Sequence, residues 1–139
     1  SSALADASTV AYVTGMYTAY FGNAVTVNQN TISTLTANVS YSGADASGNV
    51  SVHGIYSFGG QVTISKNVIQ HLSWSINNAN INSFYDNAIS YGINLNYASS
   101  AIIKNNRIRD ISNSYSSGGV DGSAHLNSVG INVSGSDNV

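Results

Sequence analysis

Charged side chains are scarce in this sequence of 139 residues. They make up 7% of the chain, whereas soluble domains usually carry about 25%. All six acidic residues are aspartate, and the four basic residues are Lys66, Lys104, Arg107 and Arg109. With a formal net charge of −2, the sequence predicts no basic surface for nucleic acid or an anionic membrane. We interpret the four bases as scattered solvent contacts.

Cysteine and long apolar runs are missing as well. Without cysteine there is no disulfide, thiolate chemistry or cysteine-based zinc site. His53, His71 and His125 lack the spacing of a zinc site, so we predict no metal and no cofactor. No run of about 18 apolar residues occurs, so we predict no bilayer-spanning segment.

Asparagine, serine and threonine are abundant, and they supply neutral polar side chains in place of charged ones. Their side chains compete for backbone hydrogen bonds, which disfavours long helices and suits strands, turns and stacked loops. The composition therefore favours an all-β fold.

Glycines recur at a constant separation along the chain. Gly15, Gly54, Gly92 and Gly130 are 39, 38 and 38 residues apart, and an apolar residue follows each of them. A shared period in a chain of this composition indicates a repeat architecture. We predict one domain over 1–139, with repeats at about 15–53, 54–91 and 92–129 and partial repeats at both ends.

A second motif recurs between the glycines. It reads apolar-x-x-Asn-x-Ile-x-x-(Leu/Ile) and places Asn30, Asn67 and Asn106 at offsets of 37 and 39. We predict that these amides form a structural ladder at a bend, where asparagine tolerates the left-handed conformation. The four glycines belong to the same structural framework.

Short alternating runs indicate how the repeats fold. Stacked repeats would bury one inward column of apolar residues that no repeat buries alone, with parallel strands about 4.8 Å apart. We expect three columns: Met16, Ile55, Ile93 and Ile131; Ile32, Ile69 and Ile108; Leu35, Leu72 and Ile111.

Part of each repeat is left over once a coil of roughly 22 residues is counted. We expect this part to leave the coil as a lateral loop, at about 36–53, 73–91 and 114–129. Loops on a rigid scaffold often carry function, so we select Trp74, Tyr85 and Asp86 as possible carbohydrate or partner contacts. Tyr17 and Tyr56, outward on neighbouring coils, are the other candidates.

The run Gly92-Ile93-Asn94-Leu95, followed by Ala-Ser-Ser-Ala-Ile-Ile-Lys-Asn-Asn-Arg-Ile at 98–108, resembles the repeat of right-handed parallel β-helix proteins. It is similar to the pectin-lyase-like superfamily, with copper-maturation-type repeats nearest. The resemblance implies a right-handed parallel β-helix, or solenoid, of about 3.5 coils. That fold hosts lyases, epimerases, tailspikes, adhesins and surface fibres, so it does not define one function.

Two functions remain open at this point. We expect a non-enzymatic extracellular or cell-surface module, structural or adhesive, as part of a larger protein or a subunit that stacks end to end into a fibre. Self-association would then pair open solenoid ends with further coils. The alternative is a polysaccharide-binding or polysaccharide-processing β-helix, for which the resemblance implies acids on adjacent coils, such as the row Asp6, Asp45 and Asp121. The same aspartates suit turns, so we predict no catalytic residue.

Overall fold

The computed structural model describes residues 2–5, 11–19, 22–41, 50–78, 87–117 and 125–135. Within these ranges the chain is all β, with no helix and hence none that could cross a membrane. The strands are β1 (Ser2–Ala5), β2 (Ala11–Ala19), β3 (Ala24–Asn28), β4 (Thr31–Tyr41), β5 (Val50–Phe58), β6 (Gln61–Ser65), β7 (Val68–Asn78), β8 (Asn87–Asn96), β9 (Ser100–Lys104), β10 (Arg107–Ser117) and β11 (His125–Ser134).

The strands form three parallel sheets, and each repeat contributes one strand to each sheet. Sheet I has the order β2-β5-β8-β11, sheet II has β3-β6-β9, and sheet III has β1-β4-β7-β10. All strand pairs are parallel. The chain visits the three sheets in turn and returns to the first one strand further along. This arrangement is consistent with the expected parallel β-solenoid.

The strand register confirms the predicted apolar columns. Met16 pairs with Ile55, which pairs with Ile93, which pairs with Ile131. The isoleucines of the middle strands, Ile55 and Ile93, are fully buried, and burial of one such side chain contributes about 1.5–3 kcal/mol. The other two columns also pair as expected: Ile32, Ile69 and Ile108; Leu35, Leu72 and Ile111.

The recurring glycines lie where sheet I packs closely on sheet III. A Cβ atom on Gly92 would stand 2.6 Å from the carbonyl oxygen of Gly130 and 2.6 Å from the Cγ2 of Ile108. Real Cβ atoms do not tolerate such contacts, so any larger residue would push the strands apart. At Gly130 a Cβ would meet nothing within 4 Å, because no described strand stacks beyond β11.

The asparagine ladder is present and saturated with hydrogen bonds. The Oδ1 atom of Asn67 accepts from the backbone N–H and the side-chain amide of Asn30, at 2.9 and 3.0 Å. The Nδ2 atom of Asn67 donates to Asn106 Oδ1 at 2.9 Å and to the Val27 carbonyl at 3.1 Å. Asn67 is completely buried. Because its polar atoms all have hydrogen-bond partners, the side chain of Asn67 can lie in the core.

The left-handed residues at this corner precede the ladder asparagines. Gln29, Lys66 and Asn105 have φ angles of 57°, 56° and 56°, whereas Asn30, Asn67 and Asn106 are not among the residues with positive φ. The expectation that asparagine serves here by tolerating the left-handed region is therefore wrong. Its side chain is needed for the hydrogen bonds from repeat to repeat.

The expected lateral loops are wrong in extent. Much of 36–53, 73–91 and 114–129 belongs to strands of sheets I and III. Alternation continues past the short apolar run, since Ala37 and Trp74 are buried at paired positions of β4 and β7. Three of the four strands of sheet III, β4, β7 and β10, therefore have 11 residues. The remaining connections, at 42–49, 79–86 and 118–124, lie outside the described residues.

Candidate functional site

The outward face of sheet I contains a cleft of about 670 Å³. Ligand sites usually have volumes of about 300–1,000 Å³ and combine apolar walls with a few polar groups. The described residues that line it are Tyr12, Thr14, Tyr17, Ser51, His53, Tyr56, Ile89, Tyr91, Asn94 and Asn96. We call this feature the tyrosine cleft.

One row of the tyrosine cleft contains the predicted contact residues Tyr17 and Tyr56. Tyr17 pairs with Tyr56, Tyr56 with Asn94, and Asn94 with Asn132. The Tyr17 and Tyr56 rings lie 5.3 Å apart at an angle of 34°, and Tyr17 is 59% exposed. The Asn96 amide donates to the Tyr56 hydroxyl at 3.2 Å. This hydrogen bond fixes the Tyr56 ring, and the two rings together form a platform that faces solvent.

His53 lies at the centre of the cleft, against three tyrosine rings. The centroid distances are 6.5 Å to Tyr12, 5.0 Å to Tyr56 and 5.1 Å to Tyr91. Only 7% of His53 is exposed. In β5, Val52 points inward and His53 points outward. The alternation shifts by one residue at Gly54, so Ile55 again points inward and Tyr56 outward.

Hydrogen bonds hold the His53 ring in one orientation. Its Nδ1 atom lies 3.3 Å from the Asn94 Nδ2 atom, and its Nε2 atom lies 2.9 Å from the Ser51 hydroxyl. The Asn94 Oδ1 atom accepts from the Asn132 amide at 2.8 Å, which turns the Asn94 Nδ2 donor toward His53. These contacts fit the neutral imidazole with its proton on Nε2.

The described lining of the cleft is uncharged. Burial lowers the pKa of His53 from 6.5 to about 4, because the charged imidazolium loses solvation there. Burial also raises the pKa of the Tyr91 hydroxyl, so the phenol stays protonated. The described lining includes no aspartate, lysine or arginine. The cleft therefore offers ring faces, hydroxyls and amides, and no described counter-ion.

Several predicted contact residues do not join this cleft. Trp74 lies in β7 rather than on a loop, and it is 1% exposed, so its choice as a surface contact is wrong. Its indole Nε1 has no hydrogen-bond partner among the described residues. Tyr85 and Asp86 lie outside the described residues, as do the aspartates at 6, 45 and 121.

The sequence prediction missed His53, Tyr12 and Tyr91. A signal was available, because His53 and Tyr91 each directly precede a repeat glycine, and His53 and Tyr91 pair in sheet I. Both fall in the predicted lateral loops, where paired positions are not expected. Sheet III carries a second depression of about 410 Å³, where His71 Nε2 lies 3.4 Å from Asp110 Oδ2, with both side chains about half exposed.

No protein-family model, curated protein or solved structure matches this chain.

Proposed function

We propose that this chain is a non-enzymatic, extracellular or cell-surface β-solenoid module that adheres to a saccharide through the tyrosine cleft. The observation that carries this proposal is the exposed Tyr17–Tyr56 platform beside a row of ordered amides. Sugar rings present an apolar C–H face that stacks on aromatic rings, and their hydroxyls bond to amides and phenols.

Binding is favoured over cleavage by the residues that line the cleft. Hydrolysis of a glycosidic bond usually needs two carboxyl groups that flank it, and the described lining contains no carboxyl group. His53 is held between Ser51 and Asn94 and enclosed by tyrosine rings. It supports the shape of the cleft rather than presenting a free base.

Within the same proposal the solenoid is right-handed and has about 3.5 coils. Parallel strands joined by crossover connections are right-handed in about 98% of cases, which supports that hand. The asparagine ladder supports the kinship with pectin-lyase-like and copper-maturation-type repeats, a fold-level analogy that carries no catalytic role.

A direct binding test uses Tyr56→Ala. We expect the unmodified protein to bind neutral polysaccharides in calorimetry or on a glycan array. Loss of one stacking ring should weaken binding by about tenfold. The matched control is Tyr97→Ala, since Tyr97 is 64% exposed but is not among the lining residues. Absence of any saccharide binding, or equal loss in both variants, would contradict the proposal.

A second role, self-association, is favoured by the surface of β11. Ile131 and Val133 are 48% and 36% exposed, and among the described strands β11 pairs with β8 alone. Open strand edges with apolar side chains invite further pairing, so we propose that the solenoid repeats of a second copy stack on this edge. Native mass spectrometry tests this, and a dispersed 14.4 kDa monomer at high concentration would count against it.

A further inference from the structure

All four basic side chains of the sequence gather at one corner of the fold. Lys66 directly follows β6, Lys104 ends β9, Arg107 begins β10 and Arg109 lies two residues further on. All four are exposed. The corner joins sheet II to sheet III at the turns that contain Asn67 and Asn106 of the asparagine ladder, and we call it the basic corner. The expectation that the bases are scattered is therefore wrong.

The charge increases from repeat to repeat along this corner. In the first repeat the positions equivalent to Lys66 and Arg107 are Gln29 and Thr31, which are neutral. In the second repeat only Lys66 is charged, whereas the third contributes Lys104, Arg107 and Arg109. Among the described residues Asp110 is the one acid, and it lies 3.6 Å from Arg109. The other three bases form no ion pair within the described part of the chain.

The backbone beneath the bases is rigidly connected. The Lys66 N–H donates to the Lys104 carbonyl at 3.2 Å, and the Arg107 N–H donates to the Asn67 carbonyl at 2.8 Å. Neighbouring strands are about 4.8 Å apart, and alternate residues of one strand, such as Arg107 and Arg109, are about 6.7 Å apart. Because Lys66 directly follows Ser65, which pairs with Lys104, the cations of the two repeats lie on neighbouring backbone positions.

We propose that the basic corner binds a linear anionic polysaccharide that carries an acidic group on successive sugar residues. A bend of the chain is convex, so it does not enclose a single small anion, but it allows a polymer to lie across several cations. No aromatic side chain occurs at 65–69 or 104–109, which removes the base-stacking platform that single-stranded nucleic acids use. The net charge of −2 means that attraction must come from this local patch.

The basic corner is separate from the tyrosine cleft. The cleft lies on β2, β5 and β8 of sheet I, whereas the bases lie on β9, β10 and the turn after β6. The module would then hold a neutral glycan at one sheet and an acidic glycan at a corner formed by the other two. This second site does not depend on the first.

The test measures binding of polygalacturonate, dextran sulfate and uncharged dextran to the full chain by biolayer interferometry. We expect the double change Lys104→Gln with Arg107→Gln to weaken anionic binding by about fivefold for each charge removed. Binding should also weaken as ionic strength rises to physiological levels. Trp74 is the one tryptophan of the sequence and is buried, so its fluorescence checks that each variant is folded.

A gain-of-binding pair provides the matched control. Gln29→Lys adds a cation in the row of Lys66 and should strengthen anionic binding by about fivefold. Ser99→Lys adds the same charge on an exposed residue at the opposite end of β9 and should change it by less than about twofold. Preference for polygalacturonate would identify carboxylate, and preference for dextran sulfate would identify sulfate, as the group recognised.

Three results would overturn the basic-corner proposal. They are the absence of anionic binding by the unmodified protein, equal binding by the double variant, and an equal gain from Gln29→Lys and Ser99→Lys. Tyr56→Ala separates the two proposals: it should leave anionic binding unchanged, and a loss there would place the acidic polymer in the tyrosine cleft instead. Failure of the neutral-glycan assay leaves the charge test intact.

Discussion

The asparagine ladder and the tyrosine cleft are built on the same stacked repeats, but their side chains have different roles. In the ladder the same residue recurs in each repeat. The side chain of Asn67 forms hydrogen bonds with Asn30, Asn106 and the backbone through all its polar atoms. In the cleft the paired positions change along the row, from tyrosine at 17 and 56 to asparagine at 94. There Tyr17 presents its ring to solvent.

This difference indicates where binding is to be sought in a stacked fold. A repeated polar residue forms hydrogen bonds with its equivalent in the next repeat, so its polar groups are already occupied in the folded protein. A row that changes from repeat to repeat can leave a side chain facing solvent, as it does with the ring of Tyr17. Changes in repeated rows should therefore affect stability, and changes in variable rows should affect binding.

The largest effect should come from the repeated glycines. A Cβ on Gly54 would overlap the Cγ2 of Ile69 and stand 2.6 Å from the Gly92 carbonyl oxygen. We expect Gly54→Ala to lower the free energy of unfolding by more than about 3 kcal/mol, because two sheets must separate. Urea denaturation followed by Trp74 fluorescence measures this.

Gly130→Ala is the matched control for that change. The added Cβ would meet nothing within 4 Å, so the free energy of unfolding should change by less than about 0.5 kcal/mol. Equal destabilisation by the two alanines would show that backbone freedom, and not close packing, explains the glycine row.

A somewhat smaller effect is expected from the asparagine ladder. Asn67→Ala leaves the Asn30 N–H and the Val27 carbonyl without their side-chain partner, and the site is fully buried. We expect a loss of about 2–3 kcal/mol in unfolding free energy. Asn30→Ala, at a partly exposed end of the ladder, should cost about 1 kcal/mol, with saccharide binding unchanged in both. A loss of binding by folded Asn67→Ala would break the contrast between the two regions.

The smallest of these effects concerns His53, which belongs to a variable row but is buried. Its pKa is about 4 in the folded protein and 6.5 as the ordinary value. As pH falls through this window, the unfolded chain takes up a proton that the folded protein does not, so stability decreases from about pH 6.5 down to about 4 and His53 adds no further loss below it.

We expect this contribution to be about 1–2 kcal/mol, because solvent near the cleft screens part of the cost. Urea denaturation of the unmodified protein and of His53→Gln across the window measures it. The difference in unfolding free energy between the two proteins should change with pH only between about 6.5 and 4. A constant difference would mean that His53 titrates alike in the folded and unfolded states.

The features that could be predicted from the sequence differ from those that could not in the same way, by whether one residue repeats at one period. The apolar columns, exemplified by Ile55 and Ile93, and the asparagine ladder could be found from spacing, since parallel stacking pairs each residue with its own equivalent. The extent of the sheet III strands could not. Serine and asparagine around Trp74 indicate a loop by composition, and only pairing with neighbouring strands makes them strand.

By itself the sequence determined the all-β repeat, its inward columns and its ladder, because each depends on one residue recurring at one period. Tertiary structure decided the tyrosine cleft around His53 and the basic corner around Lys104 and Arg107. Residues about 38 positions apart become neighbours about 4.8 Å apart when the strands pair. Side chains of different types then lie together on one surface, and the sequence around each of them does not indicate this proximity.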